Sequence, residues 1–248
     1  MILDYYPILL RTYIRSLRST KSWEMLENLL KTDFIDVVNS APVRRGDAPI
    51  WTKIPQIRVE DVADFSFDVE DPKNDSTTIK RAFGEGTASY VNGKPDNPYV
   101  LRFVCYDEYM HQFVFDDGEG HPNKSMFKQH KHMADFIVYD TSDNHVWIII
   151  HELSTSDVCN KRGTAKLQLS YTIDLLCRSE RIKNFIKDIP NKWCILSARD
   201  ERVLQTPSGM ADAFMNAYEI IPKPLKFQFG PMKRLGFIGY ETSKVILE

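Results

Sequence analysis

HMADFIVYDTSDNHVWIIIHELSTSD, residues 132–157, holds two apolar runs, FIVY and VWIII, on either side of a polar turn. Asp135 opens the first run and Glu152 closes the second. Short apolar runs bounded by turn residues predict two β-strands paired as a hairpin. In such a pair the start of one strand lies opposite the end of the other, so the two carboxylates are expected near a common point. Desolvated carboxylates that close repel each other, and a divalent cation compensates both. Mg²⁺ or Mn²⁺ suits this donor set, with the backbone carbonyl of Leu153 as a further oxygen ligand. Solvated strand ends without a metal are the plainer reading of the same acids.

Along a strand, Glu152 and Ser154 share one face while His151 and Leu153 take the other. Ser154 can hydrogen-bond a metal-bound water but carries no positive charge. The next segment, about Thr164 to Cys177, has helical spacing through Leu169, Ile173 and Leu176, and it brings Lys166 and Gln168 toward this end of the sheet. A lysine from that helix would stabilise negative charge developing on a reacting group. The histidines offer a rival donor set: His130 and His132 precede Asp135, and with carboxylates they would suit Zn²⁺, Mn²⁺ or Fe²⁺. His132 assisting a carboxylate site is an intermediate possibility.

Farther out, residues up to Val38 read as helices, one carrying Arg11, Arg15 and Arg18 on a single face. Ala41 to Pro55 reads as a connection, DFSFDVED as a short strand running into a turn, and Ile79 to Phe83 as a short helix. YVLRFVCY and HQFVFD read as two strands, Ile182 to Ile189 as a helix, and KWCILSA as a buried strand. A helix near Met210 to Tyr218 and a closing hairpin, LKFQF with GFIGY, complete the chain. The expected fold is α/β, a mixed sheet flanked by helices. The expected division is an N-terminal helical region with connecting loops (1–98), an α/β core (99–200), and a C-terminal helix and hairpin packed on the core (201–248).

Composition narrows the function classes. The chain has 248 residues and a formal net charge of −2, so nucleic-acid affinity would have to come from local patches. Lys124, Lys128 and Lys131 before the proposed site, with Lys161 and Arg162 after it, are the candidates for phosphate contacts. The four cysteines are scattered and form no CxxC pair, which points to free thiols and a cytoplasmic location. No apolar run approaches membrane-spanning length and the N-terminus does not read as a signal peptide, so no membrane association is expected.

Ala134–Asp135, then strand, turn and strand ending in HELS (151–154), then helix and strand, resembles a divergent PD-(D/E)XK nuclease core of the restriction-endonuclease-like type. The resemblance covers about residues 99–198. Two positions depart from the pattern: Ala134 stands where proline is usual, and Ser154 where the lysine belongs. The cap-snatching endonucleases of segmented negative-strand RNA viruses are similar at this point, with the lysine moved to the following helix, and Lys166 is the matching residue. The resemblance implies a Mg²⁺- or Mn²⁺-dependent endonuclease hydrolysing phosphodiesters, of DNA ahead of RNA, with Asp135 and Glu152 as metal ligands and a homodimer left open. It also implies a third acid from upstream, for which Glu85 is the first choice and Asp64 the second. A catalytically inactive binding module on the same fold is the alternative.

Overall fold

The computed structural model describes residues 25–70, 78–129, 133–142, 145–154, 158–198, 225–228 and 230–248, with backbone alone at 158–162, 198 and 225. The chain forms an α/β structure around a seven-stranded mixed sheet. Its elements in order are helices α1 (Leu26–Lys31) and α2 (Asp33–Asn39), then strands β1 (Val59–Val62), β2 (Ser66–Val69), β3 (Lys80–Arg81), β4 (Ala88–Asn92) and β5 (Leu101–Cys105). Helix α3 (Tyr106–His111) and strands β6 (Val114–Phe115), β7 (Lys124–Ser125), β8 (Phe136–Asp140) and β9 (Trp147–Ser154) follow. The rest comprises α4 (Val158–Leu176), α5 (Glu180–Asp188), β10 (Asn191–Ala198), β11 (Leu225–Phe227), α6 (Gly230–Leu235), β12 (Ile238–Glu241) and β13 (Lys244–Leu247).

The main sheet runs β1-β5-β8-β9-β10-β12-β11. The expected hairpin is present: β8 and β9 are antiparallel, with Phe136 opposite His151 and Ile137 opposite Ile150. From β9 the chain crosses through α4 and α5 to β10, which lies parallel to β9, and β12 is parallel to β10 in turn. Both faces of the sheet are covered. Ile148 and Ile150 of β9 join Leu169, Ile173 and Leu176 of α4 in one core. Trp147, Ile149 and Leu153 join Phe67, Val69 and Tyr90 in the other, beneath a second sheet of order β13-β4-β2-β3. That double burial explains why β9 reads as an unbroken apolar run.

Several expectations change. The region before residue 99 supplies four strands in addition to helices, and β1 and β12 join the main sheet from outside residues 99–200. Ile79 to Phe83 forms no helix: β3 pairs with β2 because edge pairing outweighs a weak local preference. HQFVFD contributes only the two residues of β6, since Tyr106 to His111 coils into α3 and buries Tyr106, Tyr109 and Met110. LKFQF and GFIGY do pair, through β11 and β12, but the connection contains helix α6 and not a simple turn. The segments before Met25 and around Met210 to Tyr218, including the arginine stripe, lie outside the described residues. No helix among the described residues is long and apolar enough to cross a membrane.

Candidate active site

Asp135 lies one step beyond the last β8–β9 pair, and the same register places it across from Glu152. Both side chains fall on the helix-covered face, because side chains alternate and Ile137 and Ile150 belong to the core beneath α4. Asp135 Oδ2 accepts the backbone N–H of Leu153 at 2.5 Å, so the carboxylate is tied across the hairpin. Its backbone carbonyl accepts the N–H of Tyr106 at 2.8 Å, which ties it to the start of α3 as well.

Glu152 is only 7% exposed. Gln168 and the backbone of Asp135 favour its ionised form, while its Oε2 is buried with no hydrogen-bond partner among the described residues. Burial, then the charge of Asp135, then that of Asp107, pushes its carboxyl up to about 10. An acid in that position is destabilised when ionised unless a cation arrives. The donor set of two carboxylates, an orphaned carboxylate oxygen and nearby backbone carbonyls fits a hard divalent cation.

A further carboxylate acting on Glu152 is Asp107, in the first turn of α3, which the sequence reading did not name. Glu85 instead occupies an exposed turn between β3 and β4 of the second sheet, on the side His151 faces. Asp64, also on that side, pairs with Lys80 at 2.9 Å. Asp107 is one-third exposed and pairs with His111 at 3.3 Å. The helical spacing of Tyr106, Tyr109 and Met110 is the signal that would have located it on a helix start.

Helix α4 supplies the rest of the surroundings. Thr172 Oγ1 accepts the N–H of Ala134 at 3.0 Å, and Gln168 donates to Met133 O at 3.1 Å. Ala165, Gln168 and Thr172 thus form the stripe that meets the β8–β9 junction. Lys166 projects to another flank, with its ammonium 5.0 Å from the centre of the Phe227 ring. Gly239 permits that arrangement, since a Cβ there would come within 2.4 Å of the same ring. Lys161, by backbone position, stands four residues before Ala165 and seven before Gln168, on the stripe itself.

The remaining expectations divide. Ser154 is buried on the Glu152 face. Lys128 is exposed and donates to Ala41 O at 2.6 Å, whereas Lys124 is held by Asp47 at 2.6 Å and Asp117 at 3.3 Å. His130, Lys131 and His132 lie outside the described residues, as do the side chains of Lys161 and Arg162. His151 is buried on the opposite face from Glu152, within hydrogen-bond reach of Tyr90 and Ser197.

Among the described residues, one trio of ligand atoms lies mutually within 4.8 Å: Asp117, Glu119 and His121, in the loop between β6 and β7. It is the weaker candidate. The Glu119 N–H, Lys124 and His121 already satisfy Asp117 and hold its carboxyl down to about 2, and the other two residues are exposed. No protein-family model matches the chain, and no curated protein and no solved structure matches it.

Proposed function

We propose that this protein is a divalent-metal-dependent nuclease that hydrolyses phosphodiester bonds, of DNA in preference to RNA, at the Asp135–Glu152 site. The observation that carries the reading is the buried Glu152 carboxyl, with Oε2 unpartnered among the described residues and two further carboxylates acting on it. Asp135, Glu152 and the Leu153 carbonyl would hold Mg²⁺ or Mn²⁺, a group that lowers the pKa of a water and neutralises phosphate oxygens. Within the chain, Gln168 favours the ionised form of Glu152, and the Leu153 N–H fixes Asp135. Asp107, at the more open edge, orients water between protein and substrate. The resemblance to PD-(D/E)XK nucleases supports the same assignment.

The cationic role belongs to a lysine of α4. The candidates are Lys166, which would have to leave the Phe227 ring, and Lys161, which stands seven residues before Gln168 in the helix. Incubating supercoiled plasmid and single-stranded DNA with Mn²⁺ tests the reading, with nicking expected from the wild type and none from Asp135→Ala or Glu152→Ala. Cleavage that survives both substitutions excludes this site. Comparing Lys161→Ala with Lys166→Ala then identifies the lysine, with a loss of about a hundredfold expected at the one that acts.

A second reading is a nuclease-like binding module without catalysis. Ser154 in place of the strand lysine, and Lys166 resting on Phe227, favour it. Calorimetry separates the two: the module binds DNA with no divalent-ion requirement and cleaves nothing.

A further inference from the structure

On the far side of β9 from Glu152, a line of hydrogen bonds runs through four elements. Ser197 of β10 donates to the backbone carbonyl of Thr242, at 2.6 Å, and that carbonyl can only accept. The Ser197 hydroxyl therefore accepts from His151 Nε2, 2.8 Å away, which places the imidazole proton on Nε2. Nδ1 is then the lone-pair nitrogen, and Tyr90 of β4 donates to it at 2.7 Å. His151 and Ser197 each donate one hydrogen bond and accept one, and Tyr90 donates one. His151 is fully buried, and burial holds its pKa down at about 3, so the imidazole is neutral throughout the working pH range.

The position of this relay matters more than its contribution to stability. It joins the second sheet, β9, β10 and the turn after β12, directly behind residues 151–153. Ser197 stands opposite Leu153 in the parallel register. The Leu153 N–H is the group that holds Asp135, and Glu152 lies between Leu153 and His151. Each strand end on the reacting side thus depends on a backbone segment fastened from the other side.

We propose that His151 is a positioning residue whose relay from Tyr90 to Thr242 fixes the Glu152–Leu153 backbone, so that Asp135 and Glu152 converge on one cation. The metal part of this inference rests on the proposed nuclease reading. Removing His151 itself leaves a cavity and two stranded hydroxyls, so the subtractive variants Tyr90→Phe and Ser197→Ala carry the test. Two readouts are taken on the full chain: the Leu153 amide proton by NMR, without metal, and Mn²⁺ affinity by calorimetry. The Leu153 proton is expected downfield in the wild type and shifted upfield in both variants, with Mn²⁺ affinity lowered about tenfold. The double variant should lose little more than either single one, because both cut the same relay.

Val69→Ala, which trims the buried apolar part of the second sheet on a strand position paired with Lys80 and Ala88 and not with Tyr90, is the control for general destabilisation. It should leave the Leu153 resonance and Mn²⁺ affinity unchanged. A Leu153 resonance at its wild-type position in both variants, or an equal shift in the control, overturns the proposal. Wild-type protein that binds no Mn²⁺ sinks the metal reading instead, and the Leu153 resonance then decides the relay alone. If Tyr90→Phe does not fold, Ser197→Ala decides by the same criteria.

Discussion

His151 and Glu152 are neighbours on β9, both buried and both polar, yet the fold treats them in opposite ways. His151, facing the second sheet, has a partner for each ring nitrogen. Glu152, facing α4, keeps one oxygen without a partner among the described residues and sits near two more carboxylates. A buried polar group contributes to stability only when its hydrogen bonds are made, and costs stability when they are not. One face of the strand is therefore built for stability, and the other retains an electrostatic strain that a ligand can relieve. The difference between the two residues makes the Glu152 face the place to look for chemistry.

The sharpest way to break this comparison is to remove the satisfied member. His151→Ala strands the Tyr90 and Ser197 hydroxyls and opens a cavity, at a cost of about 3–4 kcal/mol. Thermal unfolding should show a fall in Tm on the order of 10 °C. A loss within about 1 kcal/mol would mean that the relay is dispensable for stability.

The next effect concerns the strained member and pH. With the Glu152 carboxyl raised to about 10, the metal-free protein keeps a proton there at neutral pH, and a cation must displace it. Mn²⁺ affinity should therefore climb by nearly tenfold per pH unit between about pH 6 and 8. Calorimetry in two buffers of different ionisation enthalpy would detect the released proton. A flat profile over that range would show that Glu152 is already ionised, contrary to the comparison.

The two faces were unequally legible in the sequence. The alternation of 151, 152, 153 and 154 along a strand separated His151 from Glu152 before any coordinates were known, and the hairpin register followed from the acids at its ends. Helix α5 was visible in Ile182, Phe185, Ile186 and Ile189, and β10 in KWCILSA. The second sheet was hidden for a physical reason. β13 pairs with β4 across more than 150 residues, and no local pattern records such a pairing. β1 reads VEDV, too polar to announce a strand, because it lies at the sheet edge and Asp61 pairs outward with Arg102. Asp107 was missed because its segment, bounded by the apolar YVLRFVCY and HQFVFD, looked like a strand connection. The opposition of Asp135 and Glu152 was thus readable from one hairpin, whereas the approach of Asp107 and the relay needed tertiary structure.

A smaller effect reverses the sign of the first. A raised carboxyl pKa means that this group's stabilising contribution is complete below the ordinary value of 4.5 and is lost as pH climbs toward 10. Glu152→Gln keeps the shape and cannot ionise, so metal-free protein should gain stability over wild type as pH rises above 4.5, read as a higher Tm near pH 8. Near pH 4 the variant and wild type should melt within about 1 °C of each other. The same substitution should abolish Mn²⁺ binding, giving the pattern in which a functional residue opposes stability. A variant less stable than wild type near pH 8 would place Glu152 among the satisfied residues with His151.

The least effect should come from Asp107, and its size discriminates between direct and water-mediated ligation. Its side chain is one-third exposed and already pairs with His111, so neutralising it leaves no buried orphan. Asp107→Asn should change stability by less than about 0.5 kcal/mol. It should weaken Mn²⁺ binding only about threefold to tenfold, the loss expected when an outer group no longer orients bound water. A loss as large as that of Glu152→Gln would make Asp107 a direct ligand and require α3 to move inward on binding. Because Tyr106 of that helix is anchored to the Asp135 carbonyl at 2.8 Å, such a movement would also displace Asp135.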